Sequence, residues 1–159
     1  MPKDVVTVRD MDGNESEAFI NELSWRPACY GIVIKDDAVL LLKQYNGYDL
    51  PGGGVNLGEQ LESAVIREVK EEAGITVVNP KIVHAATSFF KRSYAEGNVV
   101  QSVSLYYVCD YESGEISVEG LDEHEQQYSE GCVWFPLADL DAIEVAASFD
   151  WRELIKAQI

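Results

Sequence analysis

The feature that most constrains this chain is a proline followed by three glycines, Pro51 to Gly54, just ahead of a helical pattern that runs from about Gln60 to Gly74. Three successive glycines after a proline are not expected to form regular structure, because glycine is a poor helix and strand former. Gly74 is the residue type preferred just past a helix C-terminus, where the backbone becomes left-handed. The sequence therefore predicts a glycine-rich loop that leads into a single helix.

This helix carries an apolar arc and a neighbouring acidic face at about 100° per residue. The residues expected to face the core are Leu61, Val65, Ile66, Val69 and Ala73. Glu68, Glu71 and Glu72 have the spacing i, i+3, i+4 and project together, with Glu72 at the edge of the buried arc. Three close carboxylates repel one another and favour a hard divalent cation such as Mg²⁺ or Mn²⁺. On charge pattern alone, a solvated acidic stripe relieved by an Arg67–Glu71 ion pair is the alternative.

The rest of the chain alternates between strand and turn patterns and ends in a further helical segment. A weak alternation over residues 4–9, a turn at Asp12-Gly13 and the stretch 17–20 indicate an N-terminal β-ribbon. The acidic stretch 110–131 is rich in turn residues. Expected strands are 28–34 and 38–43, which form a buried hairpin, then 81–90, 99–109 and 133–135, followed by an amphipathic segment at 148–158. This order predicts a mixed α/β sandwich of the α+β type in one domain.

The balance of charge limits the partners of the protein. The 159 residues include 28 acidic and 12 basic ones, for a net charge of −16, and the segment 93–151 contains 13 acids and no lysine or arginine. Such a surface repels nucleic acid and anionic membranes, so neither is an expected partner. If the substrate is nonetheless a phosphate ester, cations must bridge it to the protein.

Three further sequence features indicate a cytoplasmic protein. The N-terminus lacks the basic and then apolar layout of a signal peptide, and no apolar run approaches the roughly 20 residues that cross a bilayer. Cys29, Cys109 and Cys132 lie far apart among apolar neighbours and are expected to be buried, reduced thiols. With no CxxC pair and two histidines, a Cys/His zinc site is not expected.

The glycine-rich loop and the helix together match a known motif. Gly53 is followed after five residues by Glu59, and after seven more by the run Arg67–Ile75, which reads Arg-Glu-Val-Lys-Glu-Glu-Ala-Gly-Ile. Over these 23 residues the chain resembles the Nudix box of the Nudix hydrolase family at every defined position. Also similar to the family are Leu50-Pro51 and Val133–Leu137. The resemblance thus covers roughly residues 25–158.

The resemblance implies a Nudix fold, in which a central mixed sheet lies between helices. It implies a hydrolase domain over residues 25–159, with residues 1–24 as an N-terminal β-ribbon extension that is part of the same domain. Departures from the motif are slight: Leu57 and Gln60 stand where relatives often show a proline and a serine-like cap. Because glutamine is a poor N-cap, we expect a loosely defined start of the helix rather than lost activity.

The same resemblance assigns roles within the motif. The residues implied as metal ligands are Glu68, Glu71, Glu72 and, through its backbone carbonyl, Gly53. The implied cofactor is Mg²⁺, for which Mn²⁺ can substitute. Arg67 would orient the glutamates, and Glu59 would brace the loop. Such metal ions neutralise the charge of a diphosphate, activate water and align in-line attack on phosphorus.

The group that accepts the proton of the attacking water is open between two places in the chain. Glu68 is the first candidate. In some relatives an acid in a loop outside the motif does this work, and the acids of the acidic loop here are Glu123, Glu125 and Glu130. The candidate catalytic set is therefore Glu68, Arg67 and Glu125. A loop acid could also be a further metal ligand or a solvated surface residue, and His124 between two acids is expected to be exposed.

Contacts to the substrate are less constrained by the sequence. The cations that could reach an anionic substrate are Arg26, Lys43, Lys91 and Arg92. The aromatic residues that could stack on a base are Phe89, Phe90, Tyr94, Tyr106 and Trp134. Of these, the candidate substrate-binding residues are Arg26, Lys43, Phe89 and Arg92. The alternatives are ordinary solvated cations and aromatic residues of the core.

The resemblance implies a small-molecule nucleotide substrate, a nucleoside diphosphate linked to another moiety and cleaved at a phosphoanhydride bond. A (deoxy)nucleoside triphosphate is slightly favoured over a sugar nucleotide, ADP-ribose or a dinucleoside polyphosphate. Family members that act on ADP-ribose often carry a proline about 15 residues after the motif, where Phe89 and Phe90 stand here. Those that act on dinucleoside polyphosphates often carry a nearby tyrosine, and Tyr94 comes a few residues late.

Two other classes use the same fold. A non-catalytic nucleotide sensor would be expected to lose glutamates of the motif, and none is missing. An isomerase of allylic diphosphates should need a catalytic cysteine and extra His or Glu metal ligands, and the three cysteines have no such setting. A homodimer that pairs its N-terminal ribbons is a further hypothesis.

Overall fold

A mixed β-sheet with helices on its two sides forms the body of the protein. The computed structural model describes residues 4–92 and 98–159. Its strands are β1 (Val5–Arg9), β2 (Glu15–Phe19), β3 (Leu23–Lys35), β4 (Ala38–Gln44), β5 (Gly47–Asp49), β6 (Gly52–Gly54), β7 (Thr76–Lys91), β8 (Val99–Ser113) and β9 (Ser129–Pro136). Its helices are α1 (Leu61–Ala73), α2 (Glu123–Tyr128) and α3 (Arg152–Lys156), with 3-10 helices at Ile20–Glu22 and Leu137–Ala142.

Strand β3 is the common partner within the sheet. The hydrogen-bonded order is β2-β1-β7-β8-β3-β4-β5, while β6 pairs with β3 and β9 with β4. β3 runs parallel to β8, from Leu23 opposite Val99 to Val33 opposite Cys109, and antiparallel to β4 and β6. The neighbouring pair β7–β8 is antiparallel. This mixture of parallel and antiparallel pairs confirms the predicted mixed sheet.

The two faces of the sheet bury different cores. Ile32 and Val33 are consecutive buried residues of β3, and they point to opposite faces because side chains alternate along a strand. Val33 belongs to a cluster with Val65 and Val69 of α1, whereas Ile32 belongs to a cluster with Trp151, next to α3. The sheet is therefore packed between helices.

The three glycines form a short strand, so the expectation of irregular structure was wrong. β6 lies antiparallel to residues Ala28 to Tyr30 of β3. A Cβ atom on Gly52 would lie 2.2 Å from the carbonyl oxygen of Cys29, much closer than a side chain tolerates. Glycine allows β6 to approach β3 this closely. The pairing fixes the segment that leads into α1.

Helix α1 begins and ends as the sequence predicts. Gln60 makes no side-chain hydrogen bond at the N-cap, and Gly74 has a φ of 75° in the left-handed region. Two predicted core positions differ. Leu61 is 37% exposed because it lies at the very start of the helix, and Ala64 is fully buried one turn later. Ile66 is half-buried because it lies at the margin of the apolar arc.

Helix α2 lies inside the acidic stretch that the sequence analysis treated as turn-rich. The carboxylate of Asp122 accepts a hydrogen bond from the backbone N–H of Glu125, and the Glu125 side chain accepts one from the N–H of Asp122, both at 2.8 Å. This reciprocal pairing between an acid and a glutamate three residues later is a helix-start signal, and the sequence carries it. α3 is shorter than predicted, whereas β7 and β8 are longer because they stay paired along nearly their whole lengths.

The N-terminal residues form the expected β-ribbon. β1 and β2 pair antiparallel along their whole lengths. β1 joins the main sheet through one parallel pair, Arg9 with Phe90. Val8, Ala18 and Val99 form a small buried cluster beneath the ribbon. That residues 1–24 and 25–159 make up one domain remains a prediction.

The three cysteines are buried and unpaired, as expected. Burial raises the pKa of the Cys29 thiol to about 11 and that of Cys109 to about 12. The reactive thiolate form is therefore disfavoured. Within residues 4–92 and 98–159, no helix has both the length and the apolar character needed to cross a membrane.

Candidate active site

Three carboxylates from two helices meet beside the glycine strand β6. Glu68 and Glu72 come from α1 and Glu125 comes from α2, and one oxygen atom from each lies within 4.8 Å of the other two. Glu68 is 7% exposed and Glu72 is 5% exposed, so both lie on the buried face of α1. Two buried carboxylates side by side are costly unless a cation or a proton neutralises them.

Strand β6 gives the carboxylates room and orientation. The backbone N–H of Gly52 donates to Oε2 of Glu72 at 2.8 Å. A Cβ atom on Gly53 would lie 2.8 Å from the carboxyl group of Glu68, so a side chain there would occupy the space of the acid. Because β6 is anchored on β3, both glutamates are held against a fixed backbone.

Arg67 links the turn before α1 to the glutamates. Its Nε and Nη2 donate to the two carboxylate oxygens of Glu59 at 2.7 and 2.9 Å. Its Nη1 donates to Glu68 Oε1 at 2.8 Å and to Glu71 Oε2 at 3.1 Å. Nη2 also donates to the carbonyl oxygen of Gly54 at 3.0 Å. This geometry can perform the orienting role implied for Arg67 and the bracing role implied for Glu59.

Burial and Arg67 act on the charges of the site in opposite directions. Burial raises the pKa of Glu72 well above its usual value, and it raises the pKa of Glu68 although Arg67 opposes this. The hydrogen bonds from Arg67 hold the pKa of Glu59 down at about 2. Glu59 therefore stays anionic and keeps Arg67 in place, while the two buried glutamates gain most from a bound cation.

The loop before α2 brings Glu125 to the site by docking on α1. The backbone N–H of Ser117 donates to the carbonyl oxygen of Ala73 at 2.9 Å. A Cβ atom on Gly120 would lie 2.3 Å from the carbonyl oxygen of Glu71, so the loop and the helix are in close backbone contact. Glu125 thereby reaches Glu68 and Glu72 although it lies more than fifty residues further along the chain.

The other acids that the sequence analysis considered lie outside this group of three. The Glu71 side chain is 44% exposed and pairs with the neighbouring arginine of α1. Glu130 forms an ion pair with Lys43 at 2.7 Å, and Glu123 is exposed. Of the three candidate loop acids, the structure brings Glu125 to the glutamates of α1.

The three carboxylates open into a cleft of about 420 Å³, which we call the metal cleft. The acidic and basic residues in its described walls are Arg26, Asp49, Glu68, Glu72, Asp122, His124 and Glu125. Clustered carboxylate oxygens beside glycine backbone suit Mg²⁺ or Mn²⁺, which prefer oxygen ligands and keep several waters. The residues therefore fit a divalent cation.

A second cleft of about 280 Å³ adjoins the metal cleft, and we call it the distal cleft. The residues shared by the two walls are Arg26, Tyr30, Gln44 and Asp49. The distal cleft extends from there across β7 and β8 towards the N-terminal ribbon and the segment before α3. A ligand could therefore occupy both clefts at once.

The candidate substrate-binding residues are divided between these clefts and other places. Arg26 lies at the junction of the clefts, and Arg92 lines the distal cleft. Lys43 is instead ion-paired on β4. Phe89 packs against the small cluster beneath the N-terminal ribbon, while Phe90 lines the distal cleft. Successive side chains of a strand face opposite sides, which explains why the neighbour of the chosen phenylalanine reaches the cleft.

The remaining aromatic candidates also separate by location. Tyr106 lines the distal cleft, with its ring 5.5 Å from that of Tyr30. Trp134 packs against Tyr111 on the face of the sheet that carries α1. Tyr94 lies outside the described residues.

Asp49 is a residue of both clefts that the sequence analysis missed. Its Oδ1 accepts hydrogen bonds from the backbone N–H of Leu50 at 2.7 Å and from Nε1 of Trp151 at 3.0 Å. Burial raises its pKa to about 6. The available signal was its position directly before Leu50-Pro51, the run that leads into the glycine strand.

The fold and the arrangement of glutamates agree with a family match. The NUDIX domain model matches residues 25–155. The chain belongs to the Nudix hydrolase family. It is an enzyme of the pyrophosphohydrolase class, which acts on acid anhydrides.

Two groups of curated relatives illustrate the range of similar proteins. The ADP-ribose pyrophosphatase of Methanocaldococcus jannaschii is 31% identical over 136 residues, which cover 79% of this chain and 68% of that protein. The NAD-capped RNA hydrolase NudC of Escherichia coli is 34% identical over 110 residues, or 64% of this chain. That match spans only 39% of the length of NudC.

Solved structures confirm the predicted Nudix fold. The MutT protein from Bacillus halodurans has a TM-score of 0.62 at 26% identity, covering 82% of this chain and 80% of that one. The MutT Nudix hydrolase from Burkholderia pseudomallei has a TM-score of 0.55 at 26% identity, covering 72% and 85% respectively.

Proposed function

We propose that this protein hydrolyses the diphosphate bond of a nucleoside diphosphate linked to a second moiety, with Mg²⁺ or Mn²⁺ held by Glu68 and Glu72 and with Glu125 beside them. The observation that carries the proposal is the continuity of the metal cleft with the distal cleft. Cations would bridge a diphosphate to the three carboxylates in the metal cleft. The distal cleft would then accommodate the group attached to one end of that diphosphate.

The side chains of the metal cleft would act by holding and orienting. When bound, the cations would neutralise the diphosphate and lower the pKa of an attacking water. Arg67 orients Glu68, and the N–H of Gly52 orients Glu72. The backbone carbonyl of Gly53 remains a proposed further ligand of the cation. Glu71 remains a proposed ligand at the exposed edge of the site. Ligands held in fixed positions favour in-line displacement because little has to reorganise during the reaction.

We favour Glu125 over Glu68 as the acceptor of the water's proton. Oε1 of Glu68 already accepts a hydrogen bond from Arg67, and its carboxyl group is confined by Gly53. Oε2 of Glu125 is used in capping α2, which leaves Oε1 of Glu125 for the proton. Glu125 is also less buried than Glu68, so it can meet water more readily. Glu123 and Glu130 lie outside the cluster.

The size and the wall residues of the distal cleft indicate which group is attached to the diphosphate. Its aromatic residues favour a nucleoside there, and a second moiety such as a sugar would extend from the other side of the diphosphate. The similarity to an ADP-ribose pyrophosphatase supports this class. A (deoxy)nucleoside triphosphate is the second candidate, because Phe90 lines the cleft near the position where ADP-ribose enzymes often carry a proline.

Two proposals concern the setting of the enzyme. Three buried, unpaired thiols favour a reducing, cytoplasmic compartment. A net charge of −16 disfavours nucleic acid as a partner.

A substrate panel tests the proposed activity. Purified protein is incubated with nucleoside triphosphates, ADP-ribose, sugar nucleotides and dinucleoside polyphosphates in Mg²⁺, Mn²⁺ or EDTA. Phosphate is measured with and without an added phosphatase, which converts phosphomonoester products into free phosphate. We expect turnover that requires the metal and depends on the phosphatase for substrates with two organic moieties.

Glu72→Gln tests the site, and Glu62→Gln is the matched control because Glu62 is an exposed glutamate of the same helix. We expect kcat to fall by about 100-fold or more in Glu72→Gln, since a buried ligand of the cation is lost. Glu62→Gln should stay close to the unmodified protein. Turnover in EDTA, or an equal loss in both variants, would count against the proposed site.

A further inference from the structure

The metal cleft and the distal cleft meet at a short stretch of shared wall. The side chains common to both clefts are Arg26, Tyr30, Gln44 and Asp49. A diphosphate in the metal cleft and a base in the distal cleft must be joined across this stretch. In a nucleotide the group that joins them is the ribose. The shared wall is therefore where contacts to the sugar are expected.

Beyond the shared wall, the distal cleft suits a flat ring better than a sugar. Its floor is made of small side chains of β7 and β8, which are Ala86, Ser88, Ser102 and Ser104. Alternation along each strand places them on one face of the sheet. The rings of Tyr106 and Phe149 also line the cleft, with their centres 5.1 Å apart. Aromatic surfaces favour a base here, which leaves the sugar at the shared wall.

Within the shared wall, Asp49 has a carboxyl group that is fixed through one oxygen. It is the last residue of β5 and is opposite Leu42 of β4. Its Oδ1 accepts from the N–H of Leu50 and from Nε1 of Trp151. Trp151 is fully buried, so its position is set by close packing. The orientation of the Asp49 carboxyl group is therefore set before any ligand binds.

The second oxygen of Asp49 faces the open space of the clefts. Both hydrogen bonds that Asp49 accepts within the described residues end on Oδ1. Among those residues, every buried side-chain nitrogen or oxygen has a hydrogen-bond partner. Because Oδ2 has none there, it is not a buried atom. It can therefore accept a hydrogen bond from a ligand.

The chemistry of this oxygen limits what the ligand can offer. Asp49 lies outside the group of three carboxylates that could hold a cation. Burial raises its pKa to about 6, so the carboxyl group is ionised above neutral pH. An ionised carboxylate accepts hydrogen bonds but cannot donate one, and it repels phosphate oxygens. The matching group is a neutral donor next to the diphosphate, which a ribose hydroxyl supplies.

We propose that Oδ2 of Asp49 accepts a hydrogen bond from a ribose hydroxyl of the nucleoside attached to the diphosphate. The enzyme would therefore prefer ribonucleoside substrates to their deoxy forms. The inference rests on the proposed hydrolase function. A site with a charged acceptor in place discriminates strongly, because a substrate without the hydroxyl leaves the carboxylate without its partner.

Matched sugars test this inference. ATP and ADP-ribose are each compared with forms that lack the 2′- or the 3′-hydroxyl of the adenosine. We expect kcat/KM to be higher by about tenfold or more for the ribose form than for one of the two deoxy forms, mainly through a lower KM. Which deoxy form is discriminated against identifies the hydroxyl. Equal kcat/KM for the three sugars of every hydrolysed nucleotide would overturn the inference.

Asp49→Asn tests the residue. Asparagine keeps an oxygen for Leu50 and Trp151 but removes the charged acceptor. It should lower kcat/KM for the ribose form and leave that for the discriminated deoxy form nearly unchanged, so that the preference falls to about threefold or less. Asp139→Asn is the control, because Asp139 is an exposed aspartate outside both clefts. In an Asp49→Asn protein that circular dichroism shows to be folded, an equal loss for both sugars would reveal a merely structural role and contradict the assignment.

A binding measurement separates failure of this inference from failure of the proposed hydrolysis. Calorimetry in Mg²⁺ compares adenosine 5′-monophosphate with its 2′-deoxy and 3′-deoxy forms, none of which has a phosphoanhydride bond. If no nucleotide is hydrolysed but the ribose form binds about tenfold more tightly than one deoxy form, the sugar contact stands and the proposed hydrolysis fails. If nucleotides are hydrolysed but the three sugars have equal affinity and equal kcat/KM, the hydrolysis stands and this inference is overturned.

Discussion

Glu72 suits a cation, but its buried charge lowers the stability of the fold when no cation is bound. It lies on the buried face of α1 and is 5% exposed. Burial raises its pKa, so its ionised form costs folding free energy in the protein without a cation. A bound cation removes that cost, because it favours the ionised form. The protein should therefore be noticeably more stable with its metal than without.

The variant Glu72→Gln should be at least as stable as the unmodified protein in EDTA at about pH 8. Glutamine removes the buried charge and keeps an oxygen that can accept from Gly52. In the unmodified protein, Mg²⁺ should raise Tm because it binds preferentially to the folded state. The variant should lose most of this rise. Thermal unfolding in EDTA and in Mg²⁺ measures both effects. A clear drop of Tm in EDTA, or an undiminished response to Mg²⁺, would contradict this account.

Asp49 gives the stability of the fold a pH dependence of its own. Burial raises its pKa from 3.8 to about 6. The folded state therefore binds the proton more tightly than the unfolded state between these values. This group favours folding most below about pH 4, and its contribution declines as the pH rises to about 6, by about 3 kcal/mol at most.

The substitution Asp49→Asn tests this pH dependence. Asparagine keeps an oxygen that can accept from Leu50 and Trp151, but it does not ionise. In EDTA, the Tm of the variant should exceed that of the unmodified protein near pH 7.5, and the difference should shrink as the pH falls towards 4. Unfolding curves recorded across this range give the answer. A difference in Tm that is constant with pH would show that Asp49 is not the titrating group.

At the level of elements, the sequence predicted the helices and strands whose signals lie within their own residues. α1 has an apolar period and a terminal Gly74, so its bounds could be read directly. β6 could not be predicted, since three glycines become a strand only when β3 lies close enough to pair with them. α2 has six residues and little apolar periodicity, so only its capping pair indicated a helix. The position of Glu125 in the site depends on that helix and was open in the sequence.

Helix α2 offers a test in which two glutamates are compared on one element. Glu125→Gln should lower kcat by about 100-fold, because Glu125 is the proposed acceptor of the water's proton. Glu123→Gln should have little effect, since Glu123 is exposed on the same helix. Steady-state kinetics in saturating Mg²⁺ provide the comparison. If the two substitutions behave alike, Glu125 has no special role and Glu68 becomes the preferred base.

At the scale of the whole molecule, the edge of the sheet bears on the predicted homodimer. β2 is the outermost strand at one end of the sheet. Phe19 at its end and Ile20 directly after it are 55% and 51% exposed. Exposed apolar residues beside an unpaired strand edge favour association with a second copy.

We expect light scattering to give twice the 17.7 kDa of one chain. Phe19→Asp with Ile20→Asp should shift the protein towards the monomer, since charges at an apolar interface oppose association. Ile82→Asp, at a comparably exposed residue of β7, is the control. A monomer before any substitution would refute the prediction of a dimer.

The overall class of fold could be read from the sequence, but the distal cleft could not. Its floor combines Ala86 and Ser88 with Ser102 and Ser104, which come together only in the register of β7 and β8. Register depends on pairing along the whole hairpin, and a shift of one residue would turn these side chains to the other face. The preference for Phe89 over Phe90 failed to match the cleft for the same reason.

The position of β3 between the two clefts has an evolutionary consequence. The carboxylates come from α1 and α2, whereas the floor of the distal cleft comes from β7 and β8, and four residues are common to both walls. Replacements on β7 and β8 can therefore change which molecule is accepted while the bond-breaking groups stay untouched. A few mutations on these strands can therefore exchange one substrate for another. We expect related enzymes to differ in substrate specificity long before they differ in the reaction that they catalyse.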